Sequence, residues 1–119
     1  MKKILLIDDM QGIRDSLEVI LASKYELDVL DNATDGLSKV ASNTYDLIIT
    51  DIIMPGMDGN EFMIQAKKHS SCPILAISAG GNGTSPDQAL LMARQQASGV
   101  LEKPFSKNEL IEKIEALIG

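Results

Sequence analysis

Short runs of uninterrupted apolar residues alternate along this chain with stretches whose apolar positions recur every three or four residues. Ile4 to Ile7, Leu47 to Ile49 and Ile74 to Ile77 are continuous apolar runs, the pattern of strands covered on both faces. Ile13, Leu17, Ile20 and Leu21 follow helical spacing, as do Leu110, Ile111, Ile114, Leu117 and Ile118. From Tyr25 to Leu30 apolar and polar residues alternate, which predicts an edge strand with one wetter face. Val100-Leu101, short and followed by a charged turn, predicts the opposite edge.

Capping residues sharpen these boundaries. Ser85-Pro86-Asp87-Gln88 supplies a capping serine, a proline at the first helical position and Gln88 three residues on. Ser106 with Glu109 repeats the capping-box spacing, and Asp58 with Glu61 gives a looser version. Ala79-Gly80-Gly81-Asn82-Gly83 breaks regular structure and predicts a loose loop after the fourth strand. The outcome is five strands and five helices in strict alternation. Right-handed crossovers turn that order into an α/β fold, a doubly wound five-stranded parallel sheet with helices on both faces. With the second strand at an edge, the flavodoxin-like order 2-1-3-4-5 is the expected arrangement. The whole chain, residues 1–119, reads as one domain, without linker, internal repeat or low-complexity tract.

Composition narrows the function. Eleven basic residues against seventeen acidic ones give a net charge of −6, which argues against a nucleic-acid or anionic-membrane surface. Aromatics make up only 3% of the chain, so aliphatic residues and methionines must fill the core. Cys72 has no second cysteine to pair with, consistent with a reducing compartment. The apolar run after Lys2-Lys3 stops at Asp8-Asp9, too soon for a signal peptide or membrane span. A cytoplasmic protein is the expectation.

In such a sheet the carboxyl ends of the strands converge on a crevice where the strand order reverses. The first strand delivers Asp8-Asp9 there, the third Asp51, the fourth Ser78 and the fifth Lys103. Three carboxylates crowded together repel and raise their own pKa values unless a cation sits among them. Carboxylate oxygens without His or Cys suit Mg²⁺. Mg²⁺ keeps open positions for a phosphate oxygen, and Lys103 adds charge to offset a transferred phosphoryl group. A carboxylate opposite the leaving group can then act as nucleophile. Asp51, on the central strand with acids on one side and the lysine on the other, is the candidate.

These pieces resemble the receiver domains of two-component response regulators, the CheY-like family, over essentially the whole chain. The resemblance rests on Ile7-Asp8-Asp9, on Asp46 to Gly59 with its Thr50-Asp51 and Met54-Pro55-Gly56-Met57-Asp58-Gly59, on Ile77-Ser78-Ala79 and on Lys103-Pro104-Phe105. It implies that Asp51 is both phospho-acceptor and metal ligand, that Asp9 binds Mg²⁺ directly and Asp8 mainly through water. The backbone carbonyl of Ile53 completes the implied ligand set. Ser78 is the implied switch hydroxyl, Lys103 the implied partner of the phosphoryl group, and Pro104 is expected to follow a cis bond that aims the lysine. The implied donor is a sensor histidine kinase or phosphotransfer protein. The implied output is binding of a downstream protein target by a stand-alone receiver, with self-catalysed phosphoryl transfer and no metabolic enzyme activity.

Each residue also has a duller reading. A strand-end Asp is commonly a helix cap, Lys103 alone would be a solvated lysine and Ser78 alone a loop serine. His69 has no expected chemical role, Cys72 is expected at the edge of the core, and Met63 and Met92 are expected to pack inside. Two departures from the family stand out. Val100 takes the place of the usual aromatic on the fifth strand, which leaves the signal to Ser78 and the loop behind it. The glycine-rich segment lengthens that loop and is expected to order on phosphorylation or partner binding. Three rivals remain in view. A haloacid-dehalogenase-type phosphatase needs Asp-x-Asp on the first strand, and here Met10-Gln11 follow the acidic pair. An FMN carrier needs a hydroxyl- and glycine-rich loop where the two acids stand. A receiver that has lost phosphorylation and only docks is the third.

Overall fold

The computed structural model describes residues 1–78 and 87–119, with the side chains of residues 87–90 excepted. The strands are β1 (Lys3–Ile7), β2 (Glu26–Leu30), β3 (Leu47–Asp51), β4 (Ile74–Ser78) and β5 (Gly99–Glu102). The helices are α1 (Gln11–Leu21), α2 (Ala33–Ser42), α3 (Gly59–Ala66), α4 (Asp87–Gln96) and α5 (Lys107–Ile118). All four strand pairings are parallel, in the order β2-β1-β3-β4-β5 that the sequence predicts.

Period-two alternation along each inner strand builds two cores. Leu5, Ile48 and Ala76 face α2, α3 and α4, where they meet Val40, Phe62, Met63 and Ala93. Ile4, Leu6, Ile49, Leu75 and Ile77 face α1 and α5, where they meet Leu17, Leu21, Leu110 and Ile114. β3 and β4 are buried along their whole length, which explains why the alternation is hidden there: both faces need apolar side chains. β2 is the wetter edge, with every residue half-buried or exposed.

The caps follow the sequence at two sites. Asp58 accepts from the Glu61 N–H, and Ser106 with Glu109 closes a reciprocal capping box. Asn32 caps α2 by accepting from the Asp35 N–H, a cap the sequence reading did not single out. The caps expected at Ser85-Pro86 and the glycine-rich loop lie outside the described residues. Met63 is fully buried as expected, but Met92 is not a packing residue: it is 45% exposed on α4 beside Leu91 at 61%. The way α4 lies on the sheet turns the neighbouring Ala93 inward instead. Cys72 is half-buried beside the first core, and burial pushes its thiol pKa up. His69 is exposed just past α3. No described helix is long and apolar enough to cross a membrane.

Candidate functional site at the carboxyl ends of the strands

β1 and β3 lie side by side, with Ile7 level with Thr50, so the residues that follow them reach the same rim. Asp8, directly after β1, is buried, and Asp51 closes β3, also buried. Asp9 stands more open to solvent. Carboxylate oxygens of Asp8, Asp9 and Asp51 all lie within 4.8 Å of one another. None of the first pair serves as a cap for α1, whose N-cap Met10 offers no side-chain bond.

The orientations are set locally. Asp8 Oδ1 accepts from the Met10 N–H at 2.9 Å, which turns Oδ2 into the crevice. Asp51 Oδ1 accepts from the Ile52 N–H at 2.9 Å. Lys103 Nζ reaches over from the end of β5, 3.7 Å from Asp8 Oδ2 and 3.6 Å from Asp51 Oδ2. Asp8 Oδ2 is buried and accepts no hydrogen bond among the described residues. A buried carboxylate oxygen with an ammonium at ion-pair distance but no donor in bonding range is under-coordinated.

One lysine does not balance three carboxylates. The Asp51 pKa is pushed up to about 6, first by burial and then by the Asp8 and Asp9 charges, while Lys103 and the Ile52 N–H pull the other way. The donor set is all carboxylate, partly desolvated and short of positive charge, so it fits a hard divalent cation. Ile53 sits in the loop after β3 with its side chain 52% exposed. Ser78 is the last residue of β4 and is buried. Its carbonyl accepts from the Lys103 N–H at 2.8 Å, so the serine and the lysine sit on one tie between β4 and β5. The Lys103–Pro104 bond is cis, as the resemblance implies. Val100 stands opposite Ala76 and packs, half-buried, against the first core.

Sequence reasoning missed two neighbours of the site. Arg14 Nη1 donates to the Asp8 carbonyl at 2.8 Å. A cation in the first turn of a helix works against the helix dipole, and that was the available signal. Thr50, fully buried, donates its hydroxyl to the Asp51 carbonyl at 3.0 Å. A polar residue between the apolar run Leu47 to Ile49 and Asp51 was the hint.

Comparison with known proteins agrees with this geometry. The family model of the response regulator receiver domain matches residues 4–115. The chain is 32% identical to the regulatory protein VanRB of Enterococcus faecalis over 98% of its own length and 52% of that protein. It is also 32% identical to the response regulator ArlR of Staphylococcus saprophyticus, over 99% of this chain and 53% of that one. The chain thus spans about half the length of these curated relatives. A crystal structure of a CheY-like response regulator receiver domain protein from Methanospirillum hungatei superposes with a TM-score of 0.88 at 27% identity, covering 98% of this chain and 92% of that one. With the acidic triad, the serine and the lysine at one rim of a 2-1-3-4-5 sheet, the chain belongs to the response regulator receiver domain family of two-component systems.

Proposed function

We propose that this receiver is a phosphorylation-controlled switch in which Asp51 accepts a phosphoryl group with a bound Mg²⁺. The observation that carries this reading is the uncompensated acidic triad, with carboxylate oxygens within 4.8 Å and Asp8 Oδ2 buried without a hydrogen-bond donor among the described residues. Asp8, Asp9, Asp51 and the Ile53 carbonyl would hold the cation. When bound, the ion supplies positive charge that favours ionised Asp51 and offsets the phosphoryl oxygens.

The rest is the work of the chain's own groups. An Asp51 carboxylate oxygen attacks phosphorus, and an acyl phosphate bond forms as the bond to the donor breaks. With a phosphohistidine donor, the electron pair returns to the imidazole nitrogen, which takes up a proton. Lys103, 3.6 Å from Asp51 Oδ2, is placed to pair with the new phosphoryl charge. Ser78 at the end of β4 is the hydroxyl that answers it, and the Ser78 carbonyl bond to Lys103 links the two responses. The donor would be a histidine kinase or phosphotransfer protein, and the output the binding of a further protein. In this reading the chain is a signalling protein, and the only chemistry it assists is gain and loss of its own phosphoryl group.

Incubation with acetyl phosphate and Mg²⁺, followed by intact mass, tests the proposal. The wild type is expected to gain one phosphoryl mass and Asp51→Asn none. A wild type that gains nothing from any small donor or kinase would leave a docking module instead. Equal labelling of both proteins would move the acceptor elsewhere.

A further inference from the structure

Two glycines in the loop between β3 and α3 are needed for different reasons. Gly56 adopts a φ of +76° with open space around it. It is glycine for conformation. Gly59 has no positive φ, so any residue could adopt its backbone shape. What it lacks is room. A Cβ there would sit well inside van der Waals contact of the Asp51 carbonyl oxygen, 2.7 Å from Ile52 Cα and 2.9 Å from the Asp51 carbonyl carbon. These are backbone atoms, which cannot rotate aside. Gly36 makes the contrast: a Cβ there would strike the Ile7 Cδ1 methyl and crowd Phe62 Cε1 at 3.0 Å, side-chain atoms rather than backbone.

The backbone under Gly59 is the one that carries the acceptor. The Gly59 N–H donates to the Ile52 carbonyl at 2.7 Å, which draws the start of α3 onto that peptide. The same Asp51 carbonyl that Gly59 abuts also takes the Thr50 hydroxyl at 3.0 Å. Asp51 is thus held through its carbonyl, while its carboxylate faces the crevice.

We infer that Gly59 and Thr50 are positioning residues: together they seat the Asp51–Ile52 peptide, and so set where the Asp51 carboxylate and the Ile53 carbonyl point. The inference rests on Asp51 as the acceptor and cation ligand proposed above. It adds that the placement comes from α3 packing directly on backbone, with no intervening side chain to absorb an error. A groove this tight transmits any added atom to the ligands.

The test compares Gly59→Ala, Gly36→Ala and Thr50→Val with the wild type in the intact protein. Three quantities are read: melting temperature, backbone amide chemical shifts of residues 51–53 without metal, and Mg²⁺ affinity by calorimetry. Gly59→Ala is expected to move the amide shifts and to weaken Mg²⁺ binding by about tenfold or more, the scale seen when the support of a metal ligand is lost. Gly36→Ala should lower the melting temperature while leaving shifts at 51–53 and the Mg²⁺ affinity unchanged. Thr50→Val removes the hydroxyl without adding bulk and should move the same three amides with a smaller loss of affinity. Gly59→Ala and Thr50→Val with unmoved amides and wild-type Mg²⁺ affinity would overturn the inference. So would Gly36→Ala weakening the metal as much as Gly59→Ala, since that would reduce the effect to general destabilisation. If Gly59→Ala does not fold, Thr50→Val against Gly36→Ala decides. A wild type that binds no Mg²⁺ would sink the functional proposal, while the amide shifts would still judge the seating of Asp51.

Discussion

The two ends of the sheet use the same ingredients to opposite effect. At the amino end of the strands, Lys3 Nζ lies 3.6 Å from Asp28 and 3.8 Å from Glu26, and over the Tyr45 ring at 5.2 Å. The Tyr45 hydroxyl donates to Asp28 Oδ2 at 2.6 Å, and the Lys3 N–H donates to Asp46 Oδ2 at 2.7 Å. Asp28 is held below the usual carboxylate range, first by the Tyr45 hydrogen bond and also by Lys3 and Lys39. At the carboxyl end, Lys103 is asked to serve Asp8 and Asp51 together, Asp8 Oδ2 has no hydrogen-bond donor among the described residues, and Asp51 is pushed up to about 6. One end satisfies its acids with donors and solvent and simply holds β1, β2 and β3 in register. The other buries its acids short of positive charge, which costs stability and leaves a place for a cation. The difference singles out the carboxyl end as the candidate site without reference to any relative.

The largest effect is expected from Asp51→Asn, which breaks the contrast. Acceptance of phosphate should vanish. Without metal the variant should be more stable than wild type at neutral pH by about 1–3 kcal/mol, because a buried carboxylate with a raised pKa is removed. Chemical denaturation with and without Mg²⁺ checks both parts.

Mg²⁺ itself should raise wild-type stability by about 2.7 kcal/mol at a hundredfold excess over Kd. Asp9→Asn, which alters the more open acid, should lose most of that gain with little change in the metal-free protein. An equal Mg²⁺ response from Asp9→Asn would remove it from the ligand set.

pH sharpens the comparison, because the two ends have opposite signs. The folded-state pKa of Asp51, about 6, lies above its ordinary value of 3.8, so the folded protein binds that proton more tightly. Its ionisation therefore costs stability above pH 6, and the cost is relieved as pH falls from about 6 to 4, by up to about 3 kcal/mol. Asp28 is shifted down, so its contribution is present above the ordinary carboxylate pKa and is lost as pH falls below that through its folded value. Metal-free protein should be most stable in mildly acidic solution. Saturating Mg²⁺ should flatten the Asp51 limb by keeping that carboxylate ionised. Stability curves that fall steadily from pH 7 to 5 without metal would contradict the account of Asp51.

Smaller effects belong to pairs outside the acidic triad. Tyr45→Phe should cost about 1–2 kcal/mol by removing a hydrogen bond to a charged group, leave Mg²⁺ affinity alone and shrink the acid limb that Asp28 contributes. Arg94→Ala should change stability by less than about 0.5 kcal/mol, since its 3.8 Å pair with Glu102 is more than half exposed on both sides.

Much of this was legible in the sequence. The apolar runs of β1, β3 and β4 announced strands covered on both faces, and the alternation of β2 announced an edge. Asp8, Asp9, Asp51, Ser78 and Lys103 could be brought together because each follows or ends such a run, and a parallel sheet sends all those ends to one rim. Other features were not legible. Met92 was expected to pack inside, yet the way a helix lies on a sheet decides which of two adjacent apolar residues turns inward. Asn32 caps α2 without an obvious box pattern, and the bond from Tyr45 to Asp28 joins residues seventeen positions apart.

The order of residues alone determined the architecture and the list of acids, since periodicity and the handedness of crossovers act through local geometry. The packed structure decided the chemistry of that list. Burial and through-space charge fix the raised pKa of Asp51, a shared lysine leaves Asp8 Oδ2 without a hydrogen-bond donor among the described residues, and α3 lies against the Asp51 carbonyl with no atom to spare. Desolvation and steric exclusion depend on which surfaces meet, and a linear sequence does not carry those distances.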